Sequence, residues 1–98
     1  MLLARVIGTV VASQKEPRCD GKKLLVLQPH TTQGGSLSPA GSSVVAVDGV
    51  GAGLGSLVLF TQGSSARLTD LTRDTPVDTV IIGIVDRVDV DGHRLDAR

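Results

Sequence analysis

The segment Asp48-Gly49-Val50-Gly51-Ala52-Gly53-Leu54-Gly55 is glycine-rich enough to raise the question of a phosphate cradle. Such a loop needs G-x-G-x-x-G spacing or a following Lys-Ser/Thr, and a helix whose N-terminal amides meet the anion. Neither is present. Counted from Gly49, Gly51 and Gly53, the sixth positions are Leu54, Ser56 and Val58, and the segment runs into the apolar stretch Leu57–Phe60. Gly49, Gly51, Gly53 and Gly55 read instead as a tight crossover that uses φ > 0 and close backbone approach. The other reactive side chains are scattered. Cys19 sits in a loop between Arg18 and Asp20, with no base or orienting group beside it. His30 and His93 share no ligand spacing with it, so no metal site is expected. Asp89-Val90-Asp91-Gly92 opens like a calcium loop, but no later glutamate completes it. Ser64-Ser65 has no nucleophile elbow around it. Glu16 is the only glutamate, and the aspartates stand mainly at turns and strand ends. One pair, Arg67 with Asp86, has the chemistry of a bidentate, directional contact at a subunit boundary. No catalytic residue, cofactor or metal is expected.

The elements that must carry these residues are mostly strands. Val, Ile and Thr make up 26 of the 98 residues, a composition that favours β-structure. Five short apolar runs stand out: Leu2–Ala12 with Gly8 inside it, Leu24–Leu27, Val44–Val47, Leu57–Phe60 and Val80–Val85. Gly8 and Val10-Val11 suit a bent strand better than a helix. Asp20-Gly21, Asp48-Gly49 and Asp91-Gly92 are turn signals, the last between alternating segments typical of a hairpin. His30–Ser43 reads as one long polar loop. A short helix with a serine cap is expected within Gly63–Leu71, and Pro76 ends anything helical before the last run. The expected fold is all-β. It is a small five-stranded OB-like barrel over a single domain, 1–98, with one short helix between the fourth and fifth strands and a terminal hairpin.

Composition excludes several functions. Ten basic and ten acidic residues cancel, and Phe60 is the lone aromatic. A nucleic-acid-binding barrel, the main alternative, wants a basic groove and stacking rings. The N-terminus lacks a signal-peptide pattern and no apolar run approaches a membrane span, so no membrane partner and a cytoplasmic location are expected. Val80–Val85 is apolar at successive positions, hence on both faces of a strand. With no helical layer to cover the outer face, another copy of the chain is the expected cover.

Several segments, taken in order, resemble the bacterial microcompartment vertex proteins of the EutN/CcmL family. They are Gly8–Lys15, Gly21–Val26, Val47–Gly55, Gly63–Arg67, Pro76–Asp78 and Ile82–Asp86. The resemblance implies an OB-like barrel used without nucleic acid, and a homopentamer capping the fivefold vertices of a polyhedral protein shell. It also implies hexameric and pseudohexameric shell proteins as neighbours, and no cofactor. It places Gly63, Ser64, Ser65, Ala66 and Arg67, with Asp86, as subunit-interface candidates, and Gly49, Gly51, Gly53 and Gly55 in a tight or pore-proximal loop. Ser56 stands where the family often carries an acidic residue, and Cys19 where it is commonly apolar.

Overall fold

The computed structural model describes residues 1–12, 21–69, 72, 73 and 78–96. Cys19, Asp20 and Pro76 lie outside the described residues, and so do the readings attached to them. The elements run β1 (Leu2–Val10), β2 (Lys23–Gln33), β3 (Ser36–Pro39), β4 (Val44–Asp48), β5 (Leu57–Gln62), a 3-10 turn (Gly63–Arg67), β6 (Thr79–Ile84), β7 (Arg87–Val90) and β8 (His93–Asp96). The main sheet has the order β1-β5-β6-β4-β2-β3, and an additional β1–β2 pairing closes it. The closed part is therefore a barrel of β1, β5, β6, β4 and β2, with β3 extending β2 beyond the rim. All barrel pairings are antiparallel except β4–β6.

Alternation decides which side chains fill the barrel. Ala4 and Val6 of β1, Leu25 and Leu27 of β2, Ala46 of β4, Val58 and Phe60 of β5 and Ile81 of β6 form one buried cluster, joined by Ala52 from the glycine loop. Phe60 is fully buried, and burying one such side chain contributes about 1.5–3 kcal/mol. The bend expected near Gly8 is a register shift of the β1–β2 ladder between Val6 and Gly8, which leaves Ile7 without a partner in the register.

Four expectations change. First, His30–Ser43 is not a long loop. β2 continues to Gln33 and turns at Gly34-Gly35, both at positive φ, into β3, so these residues form a hairpin. Second, the expected helix is a single 3-10 turn, and no side chain caps it. Ser64 and Ser65 are exposed there. Thr72 holds the turn from below: its hydroxyl donates to the Ala66 carbonyl and its N–H to Thr69 Oγ1 at 3.1 Å. Third, the outer face of the wall is partly covered from within the chain. Ala66 of the 3-10 turn packs on Val47 and Val80, with Leu24 beside them. Fourth, Gly49 and Gly53 have no positive φ; in the loop only Gly51 and Gly55 do. The terminal hairpin is as expected, with Asp91 and Gly92 both at positive φ, the signature of a type I′ turn.

Candidate functional site

The glycine loop between β4 and β5 is tied back to β1, β2 and β4 by hydrogen bonds of its own polar groups. Asp48, at the end of β4, is 8% exposed. Its Oδ1 accepts from the Val50 N–H at 3.1 Å, and Lys23 Nζ approaches Oδ2 at 3.6 Å while donating to the Ala52 carbonyl at 2.7 Å. These contacts pull Ala52 into the core. Gly53 N–H then donates to Ser56 Oγ at 3.1 Å, and Gly55 N–H to the Val6 carbonyl at 2.9 Å. Val6 N–H returns a bond to the Ser56 carbonyl at 2.9 Å, and Arg5 donates to the Gly55 carbonyl at 3.1 Å. An anion nest needs free convergent N–H groups; the amides of Val50, Gly53 and Gly55 are already bonded within the chain. The loop is a structural plug that presents Val50 and Leu54 outward, Leu54 at 75% exposure. A Cβ at Gly51, Gly53 or Gly55 would meet no atom of this chain within 4 Å. Positive φ therefore requires glycine at 51 and 55, and close approach within the subunit does not.

The boundary candidates fall in two places. The 3-10 turn Gly63–Arg67 sits at the start of β6, tied there by Gly63 N–H donating to the Asp78 carbonyl at 2.8 Å. Ser64, Ser65 and Arg67 face solvent while Ala66 is buried. Asp86 is exposed beyond the far end of β6. A six-residue strand spans roughly 20 Å, so Arg67 and Asp86 do not meet within one subunit.

Other reactive groups stay apart. His30 lies in β2, its Nδ1 2.9 Å from the Gln28 carbonyl, and His93 lies in β8. Among the described residues no group of three or more His, Cys, Asp or Glu could hold a metal, and no helix is long and apolar enough to cross a membrane. Sequence reasoning missed two contacts. One is the Lys23–Asp48 pair, whose only signal was an aspartate before glycine. The other is the His93 ring on Gly35, for which the sequence holds no signal.

The outer wall is what remains. Ile7, Val45 and Ile82 are 36–51% exposed, and Leu2 and Ile84, which pair with the inward-facing Phe60 and Val58, expose 48% and 46% at the ends of β1 and β6. Comparison with known proteins matches that picture. The model of a family described as ethanolamine utilisation protein EutN/carboxysome matches residues 1–86. The chain is 50% identical over 95 residues to the carboxysome shell vertex protein CcmL of Gloeobacter violaceus, covering 97% of this chain and 92% of that one. It is 47% identical over 87 residues to the bacterial microcompartment shell vertex protein PduN of Salmonella typhimurium, covering 88% and 96%. The solved GrpN pentameric microcompartment shell protein from Rhodospirillum rubrum superposes with a TM-score of 0.78 at 43% identity, over 92% of this chain and 98% of that one.

Proposed function

Because the chain belongs to the EutN/CcmL family, we propose that it is a structural subunit of a bacterial microcompartment shell, working as a homopentamer at the fivefold vertices. The observation that carries this reading is the exposed aliphatic surface of a closed barrel, Ile7, Val45 and Ile82 on its strands and Leu54 on its glycine loop. Such side chains are surface for assembly. The relatives support it: they are named as shell vertex proteins, and one solved relative as pentameric. The mechanism is geometric. Five wedge-shaped subunits related by rotation close a ring, because unlike faces meeting at a fixed angle return on themselves. That ring supplies curvature which a flat lattice of hexamers lacks.

On this reading the chain's partners are its own copies and the hexameric and pseudohexameric proteins of the shell, inside the cytoplasm. It carries no catalysis, cofactor or metal, and it does not use the barrel for nucleic acid. Gly63, Ser64, Ser65 and Arg67 at one end of β6 and Asp86 at the other are assigned to the subunit boundary. Their separation along β6 suits a contact in which Arg67 of one copy approaches Asp86 of the next. The plug Gly49–Gly55 is assigned to the neighbourhood of the ring's opening. Two-dimensional class averages of the purified protein by electron microscopy test the reading. Rings with fivefold symmetry are expected; single barrels or sixfold rings contradict it.

A further inference from the structure

We propose that Asp91–Gly92, at the tip of the terminal hairpin, is a site of spontaneous covalent modification, where aspartate isomerises to isoaspartate and releases the hairpin from its seat. The inference stands apart from the shell-subunit reading.

The chemistry needs a carboxyl group free of partners, a following amide that is neither crowded nor hydrogen-bonded, and a backbone able to bring the two together. Two Asp-Gly pairs lie among the described residues, and glycine removes the crowding in both. Asp48 is held. It pairs with Lys23 in the β2–β4 ladder and its side chain is 1% exposed. Its Oδ1 accepts from the Val50 N–H at 3.1 Å, and its Oδ2 lies 3.6 Å from Lys23 Nζ. Asp91 is exposed, and among the described residues its carboxylate enters no hydrogen bond or ion pair. Val90 pairs with His93. The bond that closes the turn therefore runs from the His93 N–H to the Val90 carbonyl, and the Gly92 N–H between them faces water. Asp91 is also the one non-glycine residue at positive φ among the described residues, at 50°, a conformation that side chains leave readily. The hairpin shares no ladder with the barrel sheet, and two strands alone are marginal. Rotation of the backbone at Asp91 therefore costs less than at Asp48 inside the sheet.

In the step itself the Gly92 backbone nitrogen attacks Asp91 Cγ. Its proton leaves with the carboxyl hydroxyl as water, and a five-membered succinimide closes. Water then adds to either ring carbonyl. Breaking the bond between the nitrogen and the Asp91 main-chain carbonyl leaves the chain running through Cγ and frees the main-chain carboxylate. One water is lost and one gained, nothing is oxidised or reduced, and the mass is unchanged. The product carries one extra backbone carbon between Val90 and Gly92. A two-residue loop is set by the dihedrals of its two residues, so Val90 and His93 no longer stand opposite one another. His93, whose ring lies 2.3 Å from where a Gly35 Cβ would stand, then loses its place on the β2–β3 turn.

The test incubates the whole chain at physiological pH and temperature and maps its tryptic peptides, in which isoaspartate separates from aspartate at equal mass. Conversion at Asp91 is expected within about tenfold of the rate in a synthetic peptide spanning Val88–Arg94, and at Asp48 at least about tenfold more slowly than at Asp91. Conversion at Asp48 as fast as at Asp91, or at Asp91 as slow as at Asp48, overturns the proposal. Asp91→Glu, whose longer side chain closes a six-membered ring far more slowly, is expected to abolish the separated peptide. A shift that persists in Asp91→Glu lies at Asp89 and overturns the assignment. The isomerised chain, separated from its parent, is expected to exchange the amides of Arg87–Asp96 faster while β1, β5 and β6 stay protected. Unchanged exchange across Arg87–Asp96 overturns the release of the hairpin.

Discussion

Lys23 and Asp48 show how one pair sets the shape of a whole loop. The Asp48 side chain is 1% exposed and the Lys23 side chain 52%, so the carboxylate carries the desolvation and the ammonium relieves it. Lys23→Met leaves that carboxylate with the Val50 N–H alone and releases the Ala52 carbonyl. A loss of about 1–3 kcal/mol is expected, read as a lowered midpoint in thermal denaturation at fixed protein concentration. A change within ±0.5 kcal/mol would show that the pair is ornamental. The loop glycines separate in the same assay. Gly51→Ala and Gly55→Ala place a side chain at φ +80 and +86, at a cost of roughly 1–2 kcal/mol. Gly53→Ala meets neither a positive φ nor a neighbour within the subunit, so the isolated chain tolerates it. Loss of the parent mass on Gly53→Ala alone would put the loop against an adjoining copy. Arg67→Glu is expected to weaken assembly at low concentration while leaving the denaturation midpoint of the dissociated chain unchanged. Assembly like the parent's puts Arg67 outside the subunit boundary.

Among the elements, the terminal hairpin is the one held by the least. It shares no hydrogen-bonded ladder with the barrel sheet. Cross-strand register puts Arg87 opposite Asp96 and Asp89 opposite Arg94 on one face, with Val88, Val90, His93 and Leu95 on the other. His93 seats the apolar face on the β2–β3 turn. A Cβ on Gly35 would come within 2.3 Å of the His93 ring, and Gly35 also has φ +82. A two-stranded hairpin is marginal alone, so removing its seat should free it as a unit. His93→Ala is expected to speed amide exchange across Arg87–Asp96 by tenfold or more and leave β1, β5 and β6 protected. Equal acceleration everywhere would show that the hairpin and barrel open together. Element by element, what the sequence made legible follows from side-chain pattern. β1, β2, β4, β5 and β6 announce themselves through β-branched and aliphatic runs, and Asp91-Gly92 through its turn chemistry. β3 does not, because Ser36-Leu37-Ser38-Pro39 has one apolar residue and lies beyond the rim, where no core demands alternation. The 3-10 turn mimics a helix because Ala66 and Leu68 are helix formers, yet Leu68 is 78% exposed and forms no buried stripe. The candidate boundary residues were legible only through family resemblance: exposed charges such as Arg67 and Asp86 carry no periodic signal.

At the scale of the whole molecule, the barrel could in principle serve nucleic acid, and its chemistry argues otherwise. A chain with formal charge zero releases few counterions on binding phosphate, and Phe60, its only ring, is fully buried. No association with single-stranded DNA is expected at physiological salt; a salt-sensitive dissociation constant in the micromolar range or tighter would contradict this. The molecule is elongated, 46 × 24 × 22 Å, and aliphatic on its outer wall, and both features fit a subunit among copies better than a solitary barrel. Burial of such surface contributes roughly 25 cal/mol per Å² before the costs of association. The central claim is therefore a number of chains. Light scattering coupled to size exclusion reads it directly, with refractive-index detection because the chain has no Trp or Tyr. Five copies of 10.1 kDa predict 50.5 kDa. A mass of 10.1 kDa would contradict both the burial argument and the vertex assignment, and a dimer, trimer or hexamer would contradict the vertex assignment.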